Sequence, residues 1–302
     1  MESPQASVRY DFPIRIVDGQ ADHLSAFFTA ARGRRTGILQ ILVHGVSYDH
    51  RYWDAGRING VDYSYANYMA AQGFDVLAVD LPGVGASSRT NGGSVTIDVV
   101  VDALSGLIGR LREGPDPLGR EFAHICLVGH SMGAALSVCT QAATRSADSV
   151  IVTGTGFSPI PSGSGWPDGT REKLLTADYA LVPPELRRTY YHFAQTDPAV
   201  FDFDNRELRT PLPSSLWEDC IRLRANPNGV AGRVDCPVYL QLGGDDPIMP
   251  GAYAEQEGRE YAASAEIVTE SIPDIGHCFN LHLNHEASWR AIVRYLQRHV
   301  PA

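Results

Sequence analysis

Three short stretches of this 302-residue chain carry residue types that together perform nucleophilic catalysis. Gly129-His130-Ser131-Met132-Gly133 is a G-x-S-x-G pentapeptide, Gly243-Gly244-Asp245-Asp246-Pro247 supplies two carboxylates, and Pro273-Asp274-Ile275-Gly276-His277 supplies an imidazole. A serine hydroxyl is a weak nucleophile at neutral pH. It needs a general base within hydrogen-bond reach, and the base needs a third group to hold its tautomer. Serine, aspartate and histidine follow one another in a chain order that suits such a relay. Glycines two before and two after Ser131 suit a sharp strand-to-helix turn, where bulk at either position would hold strand and helix apart. On position alone Asp245 and Asp246 both qualify as the acid, whereas Asp274 sits too close to His277 along one loop to orient it readily.

Each stretch must be carried by a strand. The apolar run Ile125–Val128 precedes the pentapeptide and a small-residue helical stretch follows from Ala134; Val238–Leu242 precedes the aspartates and Glu266–Ile272 precedes His277. Each reactive group therefore falls just past the carboxyl end of a strand, the edge on which open parallel sheets build their sites. Upstream, residues 8–16 and 23–32 read as antiparallel strands, the run Ile38–Val43, apolar but for Gln40, as a strand covered on both faces, and Asp75–Asp80 and Ser149–Gly154 as further strands. Helical spacing predicts helices near 65–72, 97–111, 253–263 and 286–298. The alternation predicts an α/β fold with a doubly wound, mostly parallel sheet. Between residues 158 and 227 the pattern changes to amphipathic pieces bounded by prolines, including Pro183-Pro184, Pro198, Pro211 and Pro213. This segment is expected to be a helical cap inserted between a first core part, residues 1–157, and a second, residues 228–302.

Composition narrows the function. The net charge is −10 and no run of lysine and arginine tracks a phosphate backbone, so no nucleic-acid partner is expected. No stretch approaches the apolar length of a membrane span, and Met1–Gln5 is neither basic nor apolar, so a cytoplasmic protein without membrane association is expected. Cys126, Cys139, Cys220, Cys236 and Cys278 form an odd set without paired spacing and read as buried free thiols of a reducing compartment, Cys278 serving packing. No cofactor is expected: Gly83-Val84-Gly85 lacks the third glycine of a dinucleotide fingerprint, and the G-x-x-x-x-G-K-[ST] spacing is missing. No metal is expected either, since His282 and His285 lack a third ligand and read as surface or capping residues.

Taken together, His44-Gly45, the segment Asp80-Leu81-Pro82-Gly83-Val84-Gly85-Ala86-Ser87, the Ser131 pentapeptide, Gly243-x-x-Asp246-Pro247-x-x-Pro250 and Gly276-His277 resemble the α/β-hydrolase superfamily over nearly the whole chain, as a serine hydrolase with a helical cap. The resemblance selects Asp246, which directly precedes Pro247, as the acid beside Ser131 and His277. It implies an oxyanion hole from the backbone amides of Met132 and Val46, with His44 and Gly45 in the loop that shapes this side of the substrate site. Serine at the elbow points away from the haloalkane dehalogenases and epoxide hydrolases of the fold, which place aspartate there. The expected reaction is hydrolysis of an ester, lactone or thioester through an acyl-enzyme. The same triad also serves carbon–carbon bond hydrolysis of diketones, and the fold hosts non-hydrolytic binding proteins, usually with a damaged triad. Aromatic residues of the insertion favour an apolar or aromatic small-molecule acyl substrate, with Trp166 and Tyr191 as candidate contacts. Tyr48 joins them, in a run that resembles a loop of fungal and actinobacterial members.

Overall fold

The computed structural model describes residues 6–17, 20–114, 117–159, 169, 174–175, 177–223 and 229–299. Eight strands form one sheet: β1 Val8–Ile14, β2 Asp22–Thr29, β3 Ile38–Val43, β4 Asp75–Val79, β5 His124–His130, β6 Ser149–Thr153, β7 Val238–Gly243 and β8 Ile267–Ile272. Their spatial order is β1-β2-β4-β3-β5-β6-β7-β8. The β1–β2 and β2–β4 pairs are antiparallel and all later pairs are parallel. The central strands are apolar on both sides because both sides are covered, and every residue of β3, β4 and β6 is buried.

The helices follow from capping and periodicity. Thr96 caps α2 (Ile97–Arg112), which lays Val100, Leu104, Leu107, Ile108 and Leu111 into the core. In α3 (Met132–Thr144) the first ten residues are all buried, and α1 (Tyr65–Ala71) begins at a Ser64 cap. The helix expected over 253–263 is shorter: a 3-10 turn at Gly251–Tyr253 leads into Ala254–Gly258 only, and residues 259–264 close in successive tight turns. At its end Gly258 lies so close to β8 that a Cβ there would come to 2.6 Å from Thr269 Cγ2. The last helix, His285–Leu296, buries Trp289, Ile292, Val293 and Leu296.

The described part of the insertion stands over the carboxyl edge of the sheet. It contains the two-residue ribbon Tyr179–Ala180 with Leu212–Pro213, a helical turn Pro184–Leu186 running into a π-helical turn Arg187–Tyr191, and helix Pro198–Phe203 running into a second π-helical turn, Asp204–Leu208. Proline at the first helical position needs no amide partner, which suits Pro184 and Pro198 to these starts. Helix Ser214–Leu223 completes the segment and packs on α2 and α3. All five cysteines are buried and free. Among the described residues no helix is long and apolar enough to cross a membrane.

Candidate active site

Ser131 stands between β5 and α3 with φ 54° and ψ −119°, a conformation most side chains avoid. The turn is held by Ser131 N–H donating to Thr153 O (2.8 Å), and Ser131 O accepts from Ala134 N and Ala135 N. The flanking glycines admit no alternative. A Cβ at Gly129 would lie 2.3 Å from Ala134 Cα, and one at Gly133 would lie 2.2 Å from Val43 O. The elbow therefore lets α3 seat directly against the end of β3.

His277, in the loop after β8, and Asp246, in the loop after β7, converge on this serine. His277 Nε2 lies 2.8 Å from Ser131 Oγ, and His277 Nδ1 lies 2.8 Å from Asp246 Oδ2. Asp246 is buried, and its other oxygen accepts from the Ile248 amide (2.7 Å) and the Met249 amide (3.2 Å). Asp245 is exposed and donates its own amide to Ile275 O. Asp274 is exposed, at φ 54°, in the loop that follows β8. With Asp246 Oδ2 accepting from Nδ1–H, Nε2 is left to accept from the hydroxyl it faces.

The loop after β3 supplies the facing wall. Leu81 N–H donates to His44 Nε2 (3.2 Å), which leaves His44 Nδ1–H to donate to Gly45 O (2.9 Å). Burial lowers the pKa of His44 and keeps that neutral tautomer in place. Because Gly45 O and Val46 N–H share one peptide plane, this bond aims the Val46 amide. The next two carbonyls are held by the insertion: Tyr191 Oη–H donates to Val46 O (3.1 Å), and Thr210 N–H and Arg187 Nη1 donate to Ser47 O (3.1 and 3.4 Å). On the opposite side Met132 opens α3, where the first amides have no intrahelical acceptor and the helix dipole is positive.

Sequence-predicted contacts fall in three groups. Ser131, Asp246, His277, Met132, Val46, Gly45 and Tyr191 come together. His44 and Tyr48 belong to the same wall but are fully enclosed: both nitrogens of His44 engage backbone, and Tyr48 stacks on Tyr191 and packs at a tilt against Tyr52, with its hydroxyl 3.2 Å from Cys278 Sγ. They shape the site and do not face a substrate directly. Trp166 lies outside the described residues. His282 and His285 are buried, not on the surface as expected; His282 places its nitrogens 2.7 Å from Cys278 O and 2.7 Å from Phe193 O, and burial takes its pKa down to about 4. Asp49, His50 and Asp80 cluster with ligand-type atoms within 4.8 Å, yet Arg51 and Thr210 occupy Asp49, and His50 and the Ala86 amide occupy Asp80. They close the turn after β4.

Sequence reasoning missed the buried set Arg187, Asp204 and His192, all within the insertion and next to Tyr48 and Tyr191. A charged pair seventeen residues apart carries no periodic signature, and only the fold of the insertion brings it together.

A serine on a strand-to-helix elbow, an imidazole and a carboxylate gathered at the carboxyl edge of an eight-stranded, mostly parallel sheet define the α/β-hydrolase architecture. Residues 40–290 match the alpha/beta hydrolase family, and the chain belongs to it. A comparison with curated protein sequences finds no significant match. Among solved structures, the chain is similar to a soluble variant of monoglyceride lipase from Saccharomyces cerevisiae, with a TM-score of 0.72, 16% identity and coverage of 100% of this chain and 98% of that one. It is also similar to a thermophilic esterase from Thermogutta terrifontis, with a TM-score of 0.64, 19% identity and coverage of 97% and 100%. An esterase from Exiguobacterium antarcticum gives a TM-score of 0.66 at 15% identity, covering 92% and 96%.

Proposed function

We propose that the protein is a serine hydrolase that cleaves an ester, lactone or thioester of an apolar small molecule through an acyl-enzyme. The observation that carries the proposal is the continuous relay from Ser131 Oγ through the His277 ring to Asp246, with 2.8 Å at each step. In the first half-reaction Ser131 Oγ bonds to the carbonyl carbon while its proton passes to His277 Nε2. The tetrahedral oxyanion accepts from the Met132 and Val46 amides, each such donor contributing on the order of a hundredfold or more. The imidazolium then gives that proton to the departing alcohol or thiol as its bond to the carbonyl carbon breaks. In the second half, water attacks the acyl group, giving a proton to Nε2, and Ser131 Oγ leaves with it. Esterase and monoglyceride lipase neighbours favour ester cleavage within this class. Tyr191, whose ring lies beside that of His277, favours an acyl group that is apolar or aromatic.

The test is a panel of acyl esters, lactones, thioesters and a diketone assayed with wild type and Ser131→Ala, together with fluorophosphonate labelling. Turnover of one carbonyl class that vanishes in Ser131→Ala, with a label on Ser131, is the expected outcome. Turnover retained by Ser131→Ala, or a wild type inert to the label, refutes it.

A further inference from the structure

We infer that the segment from Arg187 to Phe193 is a positioning strut that braces both loops of the proposed site, an inference that rests on the acyl-transfer reading. Toward the loop after β3 the segment gives Tyr191 Oη–H to Val46 O (3.1 Å) and Arg187 Nη1 to Ser47 O (3.4 Å). Toward the His277 loop it offers Tyr191 O, which accepts from Cys278 N (3.0 Å), and Phe193 O, 2.7 Å from His282 Nε2. The approach is so close that a Cβ on Gly276 would lie 2.1 Å from Phe193 O. Tyr191 alone reaches both loops through its hydroxyl and its carbonyl, and its ring centre lies 5.6 Å from that of His277.

A buried ion pair anchors the segment. Arg187 and Asp204 are both fully buried; Arg187 Nε is 3.0 Å from one Asp204 oxygen, Nη2 engages the other, and His192 Nε2 adds a 2.6 Å contact. The guanidinium also faces the rings of Tyr48 and Tyr191 at 4.5 and 5.0 Å. A buried ion pair gains little over well-packed apolar side chains, so its effect here is to fix one arrangement of the chain. Both partners open π-helical turns, Arg187–Tyr191 and Asp204–Leu208, a local geometry that concentrates at functional sites. The wide turn places residue 187 and residue 191 on the same side, one toward Ser47 and the other toward Val46.

The strut makes the insertion part of the machinery without touching the reacting atoms, so its loss should slow the chemical step and spare ground-state binding. The experiment compares wild type, Tyr191→Phe and Asp204→Asn by kcat and KM on p-nitrophenyl acetate, by inhibition with a trifluoromethyl ketone that mimics the tetrahedral adduct, and by fluorophosphonate labelling. Tyr191→Phe keeps the ring and removes only the hydroxyl, which guards against misfolding. It is expected to lower kcat about three- to tenfold, the worth of one hydrogen bond, and to weaken the trifluoromethyl ketone by the same factor with KM within about twofold. Asp204→Asn is expected to lower both further. A Tyr191→Phe enzyme with unchanged kcat and ketone affinity, or a change confined to KM, overturns the strut while a labelled wild type keeps the acyl-transfer reading. A wild type that does not label overturns both.

Discussion

Replacing Asp246 by asparagine should disable the enzyme through the imidazole tautomer, and the structure dictates how. Asp246 Oδ1 accepts from the Ile248 and Met249 amides, while Oδ2 faces His277 Nδ1. An asparagine in the same rotamer must keep its carbonyl oxygen on the two amides, because an NH2 group there would meet two N–H donors. Its NH2 then points at Nδ1, which can only accept, and the ring proton moves to Nε2. Nε2–H facing Ser131 Oγ cannot take the serine proton. This is the tautomer failure for which a loss of about 10^4 in kcat, about 5.5 kcal/mol, is typical. Steady-state kinetics on the best substrate of the panel, with circular dichroism to show an intact fold, measures it. Asp245→Asn serves as control, since Asp245 is exposed and holds the loop through its backbone amide, which donates to Ile275 O. An Asp246→Asn enzyme within tenfold of wild type, or an Asp245→Asn enzyme equally damaged, would refute the assignment of the acid.

Three other outcomes follow from local geometry. Ser131→Gly removes turnover yet should raise the unfolding free energy by about 1 kcal/mol, because glycine relieves most of the strain at φ 54° while giving back some chain entropy; a lower urea midpoint than wild type contradicts this. Gly133→Ala forces a Cβ to within 2.2 Å of Val43 O and 2.4 Å of His44 O, both backbone atoms, so stability should fall by at least about 2 kcal/mol in urea titration, with activity lost as the elbow opens. Glu257 is buried and accepts from the Phe157 and Ser158 amides, and burial outweighs these donors to push its pKa from 4.5 to about 7. A folded-state pKa above the unfolded one means that the folded protein binds the extra proton. Its stabilisation is therefore full below pH 4.5 and is lost as pH rises toward 7, by up to about 3 kcal/mol. Thermal unfolding followed from pH 5 to pH 8 should show that slope in wild type and not in Glu257→Gln; equal slopes dismiss the role of Glu257.

The parts of the fold that the sequence made legible are those governed by local rules. Runs apolar but for one glutamine, such as Ile38–Val43 and Val238–Leu242, announced strands buried on both faces, and the glycines around Ser131 announced a turn that sterics alone require. Asp246 was readable because it stands just past such a strand, and His277 because its loop follows the less buried edge strand β8. The helix expected over 253–263 is too long because helical spacing continues past Gly258, whereas the chain there closes in successive tight turns. The histidines after His277 misled for another reason: a polar residue near a helix start looks capping or exposed, and only the insertion, by placing Phe193 O over His282, buries it. Arg187 and Asp204 were illegible on the same principle, since charged residues in an amphipathic segment read as a solvated face until a tertiary partner removes them from water.

The two proposed oxyanion donors are consequently set by different parts of the chain. Met132 belongs to the first turn of α3, which the sheet and the flanking glycines lock in place, so its amide moves only if the core moves. Val46 sits on three consecutive peptides pinned one by one: the Gly45 carbonyl by His44 from the core, the Val46 carbonyl by Tyr191, and the Ser47 carbonyl by Thr210 and Arg187 from the insertion. The His277 loop shares the insertion's anchor through the bond from Cys278 N to Tyr191 O. A change in the insertion therefore reaches the proposed general base and one proposed donor together while Ser131 stays where the sheet puts it. Sequence variation in this segment can thus retune the chemical step as well as substrate choice, with the Ser131 elbow held constant.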